Sequence, residues 1–340
     1  MGEVILDVKN LRTRFRVRSW YVYAVNGVSF QVQRGETLGV VGESGCGKTV
    51  TMMSILKLLP PAAQVQAGVA IFQGEDLLKM NSRQLQKVRG GKIGIIFQDP
   101  MTSFNPVLTM GDQLSEPLVY HRHASRVKAR QRTLEMLTMV GIPDPAERIG
   151  NYAHQFSGGM RQRSMIAMAL TCEPDLVIAD EPTTALDVTI QAQIVELVKD
   201  LRSRLGMAII WITHDLSLVA GLADRIMIMY AGTIVEEGKT EDIFDDPRHP
   251  YTLGLLMALP AFQAEKKQNR LVSIPGSPPN LRQPPDYCPF YPRCVYAIER
   301  CETELPALQP VPGGSATDHR MACWVDTRGK SGYNVYSSGA

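Results

Sequence analysis

The chain has 340 residues, of which 44% are hydrophobic, and its formal net charge is +2. This length fits one large domain with an extension, or two domains, and the hydrophobic content supports a substantial core. The near-neutral charge argues against a nucleic-acid partner. The N-terminal segment lacks an apolar signal core, and no window reaches the roughly 18 apolar residues that span a bilayer. We therefore expect a soluble intracellular protein in which disulfides are disfavoured.

Apolar, β-branched runs alternate with helical patterns over the first 240 residues. The segments 4–15 and 21–32 show partial alternation, which predicts antiparallel strands. Near-continuous apolar runs predict the buried strands of a parallel sheet, and they lie at 37–42, 92–97, 175–180, 207–213 and 225–230. The pattern between 107 and 170 is mostly helical. The sequence thus predicts an α/β fold.

The character of the chain changes after about residue 240. Thirteen of the 22 prolines lie in 241–340, and hydrophobic periodicity fades after the segment 249–260. We predict a separate extension here with little regular structure.

The segment GESGCGKT, residues 42–49, matches the phosphate-loop pattern G-x-x-x-x-G-K-[ST]. A predicted strand precedes it and an apolar helical run follows it, which is the context that this motif requires. Its glycines let the backbone approach phosphate oxygens closely, and the helix N-terminus adds its dipole. Lys48 supplies positive charge, and Thr49 is the predicted Mg²⁺ ligand. The nucleotide-binding segment comprises Gly42, Glu43, Ser44, Gly45, Cys46, Gly47, Lys48, Thr49 and Val50.

A second element, LVIADEP at 176–182, ends a predicted buried strand with an acidic pair. Asp180 can lie beside a metal ion, and Glu181 is then placed to activate water. An acidic pair at a strand end could instead mark only a turn, but the phosphate loop favours the catalytic interpretation.

Four further motifs accompany these two elements: FQDP (97–100), FSGGMRQR (156–163), TALD (184–187) and ITHD (212–215). In this order they resemble the Q-loop, signature, D-loop and switch-histidine motifs of ATP-binding-cassette (ABC) ATPases, over roughly residues 4–240. The resemblance implies a P-loop ABC nucleotide-binding domain with a mostly parallel core sheet, an antiparallel β subdomain and a helical subdomain. It also implies that two cassettes sandwich two ATP molecules head to tail.

The resemblance assigns a role to each motif. Glu181 is the expected general base, His214 holds the γ-phosphate and the base in register, and Gln98 contacts Mg²⁺ or the attacking water. Asp187 communicates across the dimer. A buried structural histidine is the alternative for His214, and the other five histidines are expected at the surface.

The signature motif is expected to face the partner's nucleotide through Ser157, Gly158 and Gly159. The commonest form of this motif ends in Gln, where this chain has Met160, which weakens any polar side-chain contact there. Adenine stacks on an aromatic residue of the first strands in this family. Phe15 is the predicted residue, and its rivals are Trp20, Tyr21 and Tyr23.

Three longer segments, at 97–118, 249–260 and 274–294, narrow the resemblance. They are similar to ATPase subunits of oligopeptide, dipeptide and nickel importers, particularly the first, or D-type, subunit. That branch implies a second and different ATPase subunit, two membrane permease subunits, an extracytoplasmic binding protein and a place on the cytoplasmic face of the membrane. The permease should dock near 98–120. Met101, Phe104, Val107 and Leu108 are candidates for that contact and equally for the helical core.

Four of the six cysteines cluster late in the chain, at Cys288, Cys294, Cys301 and Cys323. Four thiolates suit Zn²⁺, but pairs separated by about two to four residues are missing. The wider spacing is consistent with an iron–sulfur cluster, and the resemblance to dipeptide-type subunits favours [4Fe–4S]. A structural role is favoured over redox or iron sensing, since ligation could supply folding energy to a proline-rich segment. Cys172 is expected to be a small core residue.

The predicted organisation is an ABC ATPase domain at 1–240, with a helical subdomain at about 99–170, and an extension at 241–340. The metal site is expected at about 272–325. The predicted function is ATP hydrolysis in a peptide importer. A nickel or other small-solute importer is the alternative, and a soluble ABC ATPase acting on ribosomes or nucleic acid is a remote one. The presence of Glu181 and His214 opposes a non-hydrolysing regulatory subunit.

Overall fold

The structure is a computed structural model that describes residues 2–184, 186–259, 273–313 and 318–328. It divides into two compact units, each assembled from separate segments of the chain. The helical unit comprises Met1–Val4, Val32–Thr37 and Lys79–Ile212. The phosphate-loop unit comprises Ile5–Gln31, Leu38–Leu78 and the described residues from Thr213 onward.

Strands and helices alternate over much of the chain, as expected of an α/β fold, but three strands come first and a run of helices lies within residues 100–170. The strands are β1 (Val4–Val17), β2 (Trp20–Gln33), β3 (Thr37–Val41), β4 (Ala63–Phe72), β5 (Glu75–Asp76), β6 (Ile93–Ile96), β7 (Leu176–Asp180), β8 (Ala208–Thr213), β9 (Arg225–Tyr230), β10 (Thr233–Lys239), β11 (Gln309–Pro310) and β12 (Arg320–Met321). The α-helices are α1 (Lys48–Ile55), α2 (Ser82–Val88), α3 (Pro100–Ser103), α4 (Met110–Arg122), α5 (Arg126–Met139), α6 (Pro145–Arg148), α7 (Gly158–Leu170), α8 (Val188–Leu205), α9 (Leu216–Ala220), α10 (Thr240–Asp245) and α11 (Pro250–Met257).

The helical unit contains three parallel strands, since β7 pairs with β6 on one side and with β8 on the other. Every residue of β7 and β8 is buried, as the apolar runs of the sequence predict. The three long helices before β7 begin at hydroxyl caps. Thr109, Ser125 and Ser157 each accept a hydrogen bond from a backbone N–H three residues further on, which satisfies one of the unpaired amides at a helix start.

The phosphate-loop unit contains a four-stranded sheet in the order β2-β1-β4-β5. β1 and β4 are antiparallel, and their register shifts between Lys9 and Thr13. In a second sheet of this unit, β3 and β9 are parallel and β10 runs antiparallel to β9. The parallel strands expected at 37–42 and 225–230 are therefore confirmed.

The chain beyond residue 240 joins this second sheet. β12 pairs antiparallel with β10, with Glu236 opposite Met321, and β11 pairs with β12. Apart from α10 and α11, the described part of this region otherwise contains only two 3₁₀ helices, Tyr291–Arg293 and Glu299–Glu302. Regular structure is scarce in the described part of this region, and the strand pairing was not foreseen.

Two histidines correct the expectation that every histidine outside the motifs lies at the surface. His249 and His319 are buried. Both are bound to the buried carboxylate of Glu236, which accepts the His249 backbone N–H at 2.9 Å and lies 2.8 Å from Nε2 of His319. Burial of these polar groups is tolerated because each has a hydrogen-bond partner.

Within the described ranges, no helix is long and apolar enough to cross a membrane.

Candidate nucleotide-binding site

The phosphate loop connects the fully buried strand β3 to helix α1. Gly47 caps α1 in the left-handed region, with φ of 103°. A Cβ atom at Gly47 would overlap the carbonyl oxygen of Ala24, and one at Gly42 would overlap that of Met229. Close packing therefore requires glycine at both positions, and the left-handed backbone requires it at Gly47 as well.

Lys48 lies inside the loop and is only 4% exposed. Its Nζ donates hydrogen bonds to the carbonyl oxygens of Gly42 at 2.7 Å and Glu43 at 3.1 Å. The ammonium group is thus held at the loop backbone, where a terminal phosphate is expected to bind. Cys46 is buried beside it, and burial raises the pKa of its thiol, which Lys48 partly opposes. A protonated thiol is the less reactive form.

Glu43 is held by both its backbone and its side chain. Its backbone N–H donates to the hydroxyl oxygen of Tyr251 at 2.9 Å. Its carboxylate accepts two hydrogen bonds from Arg293, from Nη1 to Oε2 at 2.6 Å and from Nη2 to Oε1 at 2.9 Å. Sequence reasoning missed Arg293, because 250 positions separate it from Glu43 and no local pattern marks the pair.

In the helical unit, the acidic pair and the Q-loop meet. Asp180 ends β7 and is 5% exposed. The next residue, Glu181, has a left-handed backbone with φ of 45°. Its Oε2 accepts hydrogen bonds from Nε2 of Gln98 at 3.2 Å and from Oγ1 of Thr184 at 3.0 Å. A non-glycine residue in this conformation stores strain, which is common at functional sites.

The residues predicted to hold Mg²⁺ offer only oxygen ligands. They are the Thr49 hydroxyl, the Gln98 amide oxygen and the Asp180 carboxylate. Mg²⁺ prefers such hard oxygen donors, of which carboxylates are the commonest in proteins. The donor chemistry therefore fits this cation.

The signature motif starts helix α7. Ser157 is exposed, and its Oγ accepts the backbone N–H of Met160 at 3.3 Å. A Cβ built on Gly158 would meet no atom within 4 Å, so the backbone there is open to a ligand. A helix N-terminus with open glycine backbone is a chemically suitable site for an anion.

Asp187 of the D-loop and His214 of the switch motif have different surroundings. Asp187 is the N-cap of α8, and its Oδ1 accepts the backbone N–H of Ile190 at 3.0 Å, so it has a local structural role. His214 follows β8 and is exposed. The alternative of a buried structural histidine at this position is therefore wrong.

The aromatic residues near the first strands are not equally accessible. The guanidinium of Arg14 lies 3.9 Å from the ring centre of Tyr21, and that of Arg282 lies 4.7 Å from the ring centre of Trp20. Phe15 pairs with Ala63 in the sheet and is half-buried. Stacking of adenine on Phe15 stays a prediction.

The four late cysteines form one neighbourhood of free thiols. The Cys288 backbone N–H donates to the carbonyl oxygen of Cys301 at 3.1 Å. Burial, with the nearby thiols adding to it, raises the pKa of Cys294 and of Cys323 to about 12.

The metal site predicted at these cysteines does not appear as an assembled ligand set. Across the described residues, no group of three or more His, Cys, Asp or Glu side chains is arranged to hold a metal ion. Cys172, in contrast, is buried with Leu118 and Ala129, as a small core residue should be.

Comparison with known proteins gives the chain its family. Residues 25–184 match the ABC transporter family, and residues 235–301 match the C-terminal region of oligopeptide/dipeptide transporters. The chain is 50% identical over 324 residues to the probable peptide ABC transporter ATP-binding protein y4tR of Sinorhizobium fredii, with 95% of each chain covered. It is also 50% identical over 324 residues to the dipeptide transport ATP-binding protein DppD of Bacillus subtilis, again with 95% of each covered.

A solved structure agrees with this. The dimeric ATP-binding cassette MJ0796, in a post-hydrolysis state bound to ADP and Pi, is 28% identical and aligns with a TM-score of 0.62. The alignment covers 69% of this chain and 98% of that chain. The phosphate loop, the acidic strand and the signature helix agree with these similarities in pointing to one family. The chain belongs to the ATP-binding proteins of the ABC transporter family, in its oligopeptide/dipeptide branch.

Proposed function

We propose that this chain hydrolyses ATP to drive the import of di- or oligopeptides by a binding-protein-dependent ABC transporter. The observation that carries this proposal is the 50% identity, over 95% of both chains, to a dipeptide transport ATP-binding protein. Similarity over this length includes the segment beyond residue 240, and residues 235–301 match the C-terminal region of oligopeptide/dipeptide transporters.

The proposed chemistry assigns roles to the phosphate loop, the Q-loop and the acidic pair. Lys48 and the loop amides bind the phosphates of ATP, and Phe15 stacks on adenine. Thr49, Gln98 and Asp180 hold Mg²⁺, which neutralises phosphate charge when bound. Glu181 accepts a proton from the attacking water while the water oxygen forms a bond to the γ-phosphorus. The bond between the γ-phosphorus and the oxygen that bridges it to the β-phosphate then breaks, which leaves ADP and Pi.

The hydrogen bonds to Glu181 support its role as the base. Gln98 and Thr184 both donate to the same carboxylate oxygen, Oε2. These bonds fix the carboxylate in one orientation, and a preoriented base needs little reorganisation at the moment of reaction. His214, which is exposed, contacts the γ-phosphate in this scheme.

We further propose that the active form is a dimer with a second, different ATPase subunit. Ser157, Gly158 and Gly159 bind the partner's nucleotide, and Asp187 couples the two sites. The exposed signature and the likeness to a dimeric cassette support this arrangement.

The permease subunits are proposed to dock on the helical unit, which places the chain on the cytoplasmic face of the membrane. Met101 and Val107 are 61% and 75% exposed, and Leu108 lines a groove of about 500 Å³ beside α4 and α5. Exposed apolar side chains around a groove are typical of a protein interface. Phe104, at 5% exposure, belongs to the core instead.

The proposed domain organisation is the ATPase domain at 1–240, with its helical subdomain at about 99–170, and the extension at 241–340. Within the extension, at about 272–325, we propose that the four cysteines bind a [4Fe–4S] cluster, with Zn²⁺ as the alternative. The support is the proximity of two of them, since the Cys288 backbone N–H donates to the carbonyl oxygen of Cys301 at 3.1 Å, together with the thiolate chemistry that such clusters require.

Metal analysis tests this part separately. Anaerobic purification of the full chain should yield iron, sulfide and a broad visible absorption that changing Cys294→Ser abolishes. Zinc in place of iron would establish the alternative, and absence of both metals would rule out a metal centre.

Reconstitution tests the function itself. The chain, a second ATPase, two permeases and a binding protein encoded with it are placed in proteoliposomes and supplied with labelled di- and oligopeptides. Uptake should require ATP and both ATPase subunits. Uptake of nickel without peptides, or uptake with this chain as the sole ATPase, would contradict the proposal on cargo or on the heterodimer.

A further inference from the structure

The phosphate loop carries an acidic residue, Glu43, in a segment whose proposed ligand is a polyanion. A carboxylate next to bound phosphates weakens their binding through like-charge repulsion, which is strongest where water is excluded. The loop therefore works best when the charge of Glu43 is neutralised.

Arg293 provides that neutralisation. Its guanidinium is 4% exposed and forms a two-bond fork with the Glu43 carboxylate, from Nη1 at 2.6 Å and from Nη2 at 2.9 Å. The remaining nitrogen, Nε, donates to the carbonyl oxygen of Pro275 at 2.7 Å. A planar fork of this kind fixes both the charge and the orientation of a carboxylate.

The surroundings of Arg293 hold the fork in place. Arg293 lies in the 3₁₀ helix Tyr291–Arg293, between Cys288 and Cys294. The neighbouring Phe290 packs edge-on against Tyr230 and Tyr251, at ring-centre distances of 5.2 and 5.3 Å. Tyr251 accepts the backbone N–H of Glu43, so the same packed group holds the loop at two points.

We propose that Arg293 is a positioning residue of the nucleotide site, through which the cysteine-containing segment sets the affinity of the phosphate loop for ATP. It neutralises Glu43 and keeps the loop in the shape that binds phosphate. The proposal rests on the proposed role of the loop in binding ATP, and it gives the extension a function in the ATPase cycle beyond its own folding.

The test measures binding of the magnesium complex of AMP-PNP, a non-hydrolysable ATP analogue, to the full chain by calorimetry. Changing Arg293→Met should weaken binding about tenfold, because it leaves Glu43 charged and unneutralised. Adding Glu43→Gln to that variant should restore affinity to within about threefold of the wild type. A residue with only a structural role predicts no such rescue.

The matched control is Arg248→Met. Arg248 is also fully buried and forms a two-bond fork, with Asp246, but no part of its fork lies in the phosphate loop. This variant should lower the melting temperature and leave analogue affinity within about twofold of the wild type. Equal losses of affinity in the Arg248 and Arg293 variants would refute a specific role for Arg293.

Two further arms keep the result interpretable. If Arg293→Met does not fold, Arg293→Lys replaces it, with an expected loss of about threefold because lysine keeps the charge without the fork. Lys48→Ala tests the loop itself and should abolish binding. Wild-type affinity in Lys48→Ala would refute the proposed role of the loop, whereas loss there with wild-type affinity in the Arg293 variants would refute only this inference.

Discussion

Glu181, the proposed base, is held in place by both its backbone and its side chain. It follows a strand whose residues are all buried, takes a left-handed backbone with φ of 45°, and donates its N–H to the carbonyl oxygen of Ile212 at 3.0 Å. The turn directs the side chain toward Gln98, whose amide binds the carboxylate. The strain of this conformation is maintained by β7, which leads into the turn, and by the backbone hydrogen bond to Ile212 of β8.

Glu181→Gln should lower the rate of ATP hydrolysis by at least about 100-fold while ATP still binds, since glutamine cannot accept the proton of water. Phosphate release by the assembled transporter measures the rate. The Gln98 and Thr184 hydrogen bonds to residue 181 can persist in the variant, so its binding site should keep its shape.

Glu196→Gln is the control, because Glu196 is an exposed residue of α8 that pairs only locally, with Lys199 at 2.6 Å. That variant should hydrolyse ATP at the wild-type rate. Hydrolysis by Glu181→Gln at a comparable rate would exclude Glu181 as the base.

Among the elements, the short helix α3 and the turn before α4 separate core residues from residues available for a permease contact. The sequence alone did not distinguish these two roles. Phe104 directly follows α3 and is a core residue. Asn105 and Gln113 fix the turn after it, in which the Asn105 backbone N–H donates to Oε1 of Gln113 at 2.7 Å. The turn leaves Val107 75% exposed. An apolar side chain presented by a hydrogen-bonded turn is suited to a protein contact.

Val107→Asp should therefore impair coupling without harming the nucleotide site. We expect ATP-driven peptide uptake to fall about tenfold, because a charge would be buried at the permease contact. Nucleotide binding by the isolated chain should stay within about twofold of the wild type. Uptake in proteoliposomes and calorimetry on the isolated chain measure the two effects.

Val65→Asp serves as the comparison, since Val65 is 38% exposed on β4 and lies outside the proposed docking groove. It should leave uptake unchanged. If Val107→Asp also transports peptides at the wild-type rate, the exposed turn that carries Val107 is not part of the docking site.

For the molecule as a whole, the described residues beyond 240 contribute two short strands, β11 and β12, to the sheet that contains β10. Glu236 of β10 is fully buried and accepts the backbone N–H groups of Arg248 and His249, while His319 reaches it from the segment before β12. Three donors satisfy this carboxylate, which offsets the cost of removing it from water. The stability of the chain thus depends on contacts made by its last third.

Stability should fall in acid because of His249. Burial lowers the pKa of this residue from 6.5 to about 3. Below pH 6.5 the unfolded chain therefore takes up a proton that the folded chain excludes, so the stabilisation is complete above that pH and is lost toward pH 3. The loss should be about 1.4 kcal/mol for each pH unit below 6.5, measured by urea unfolding between pH 7.5 and pH 5.

His249→Asn should remove about one proton from the proton uptake on unfolding below pH 6.5, which reduces the slope of the unfolding free energy against pH. The variant should still fold, since asparagine can accept the Tyr251 N–H that caps α11. His123→Asn, at an exposed position, should leave the pH dependence as it is in the wild type. Equal pH dependence in the wild type and in His249→Asn would contradict this account.

Local patterns determined much of the protein. The strand–loop–helix of residues 37–55 and the buried strands before Glu181 and His214 were predicted from contiguous residues. They were predictable because main-chain conformation, helix capping and strand burial depend on a few neighbouring side chains.

Only the tertiary structure decided the contacts between distant segments. Examples are the pairing of Arg293 with Glu43, the burial of His249 and His319 around Glu236, and the pairing of β12 with β10. Such contacts join residues that share no local pattern, and their energy arises only when the packed chain removes both partners from water. For that reason the sequence alone identified the nucleotide-binding motifs, while the support of the phosphate loop by the distant extension emerged from the fold.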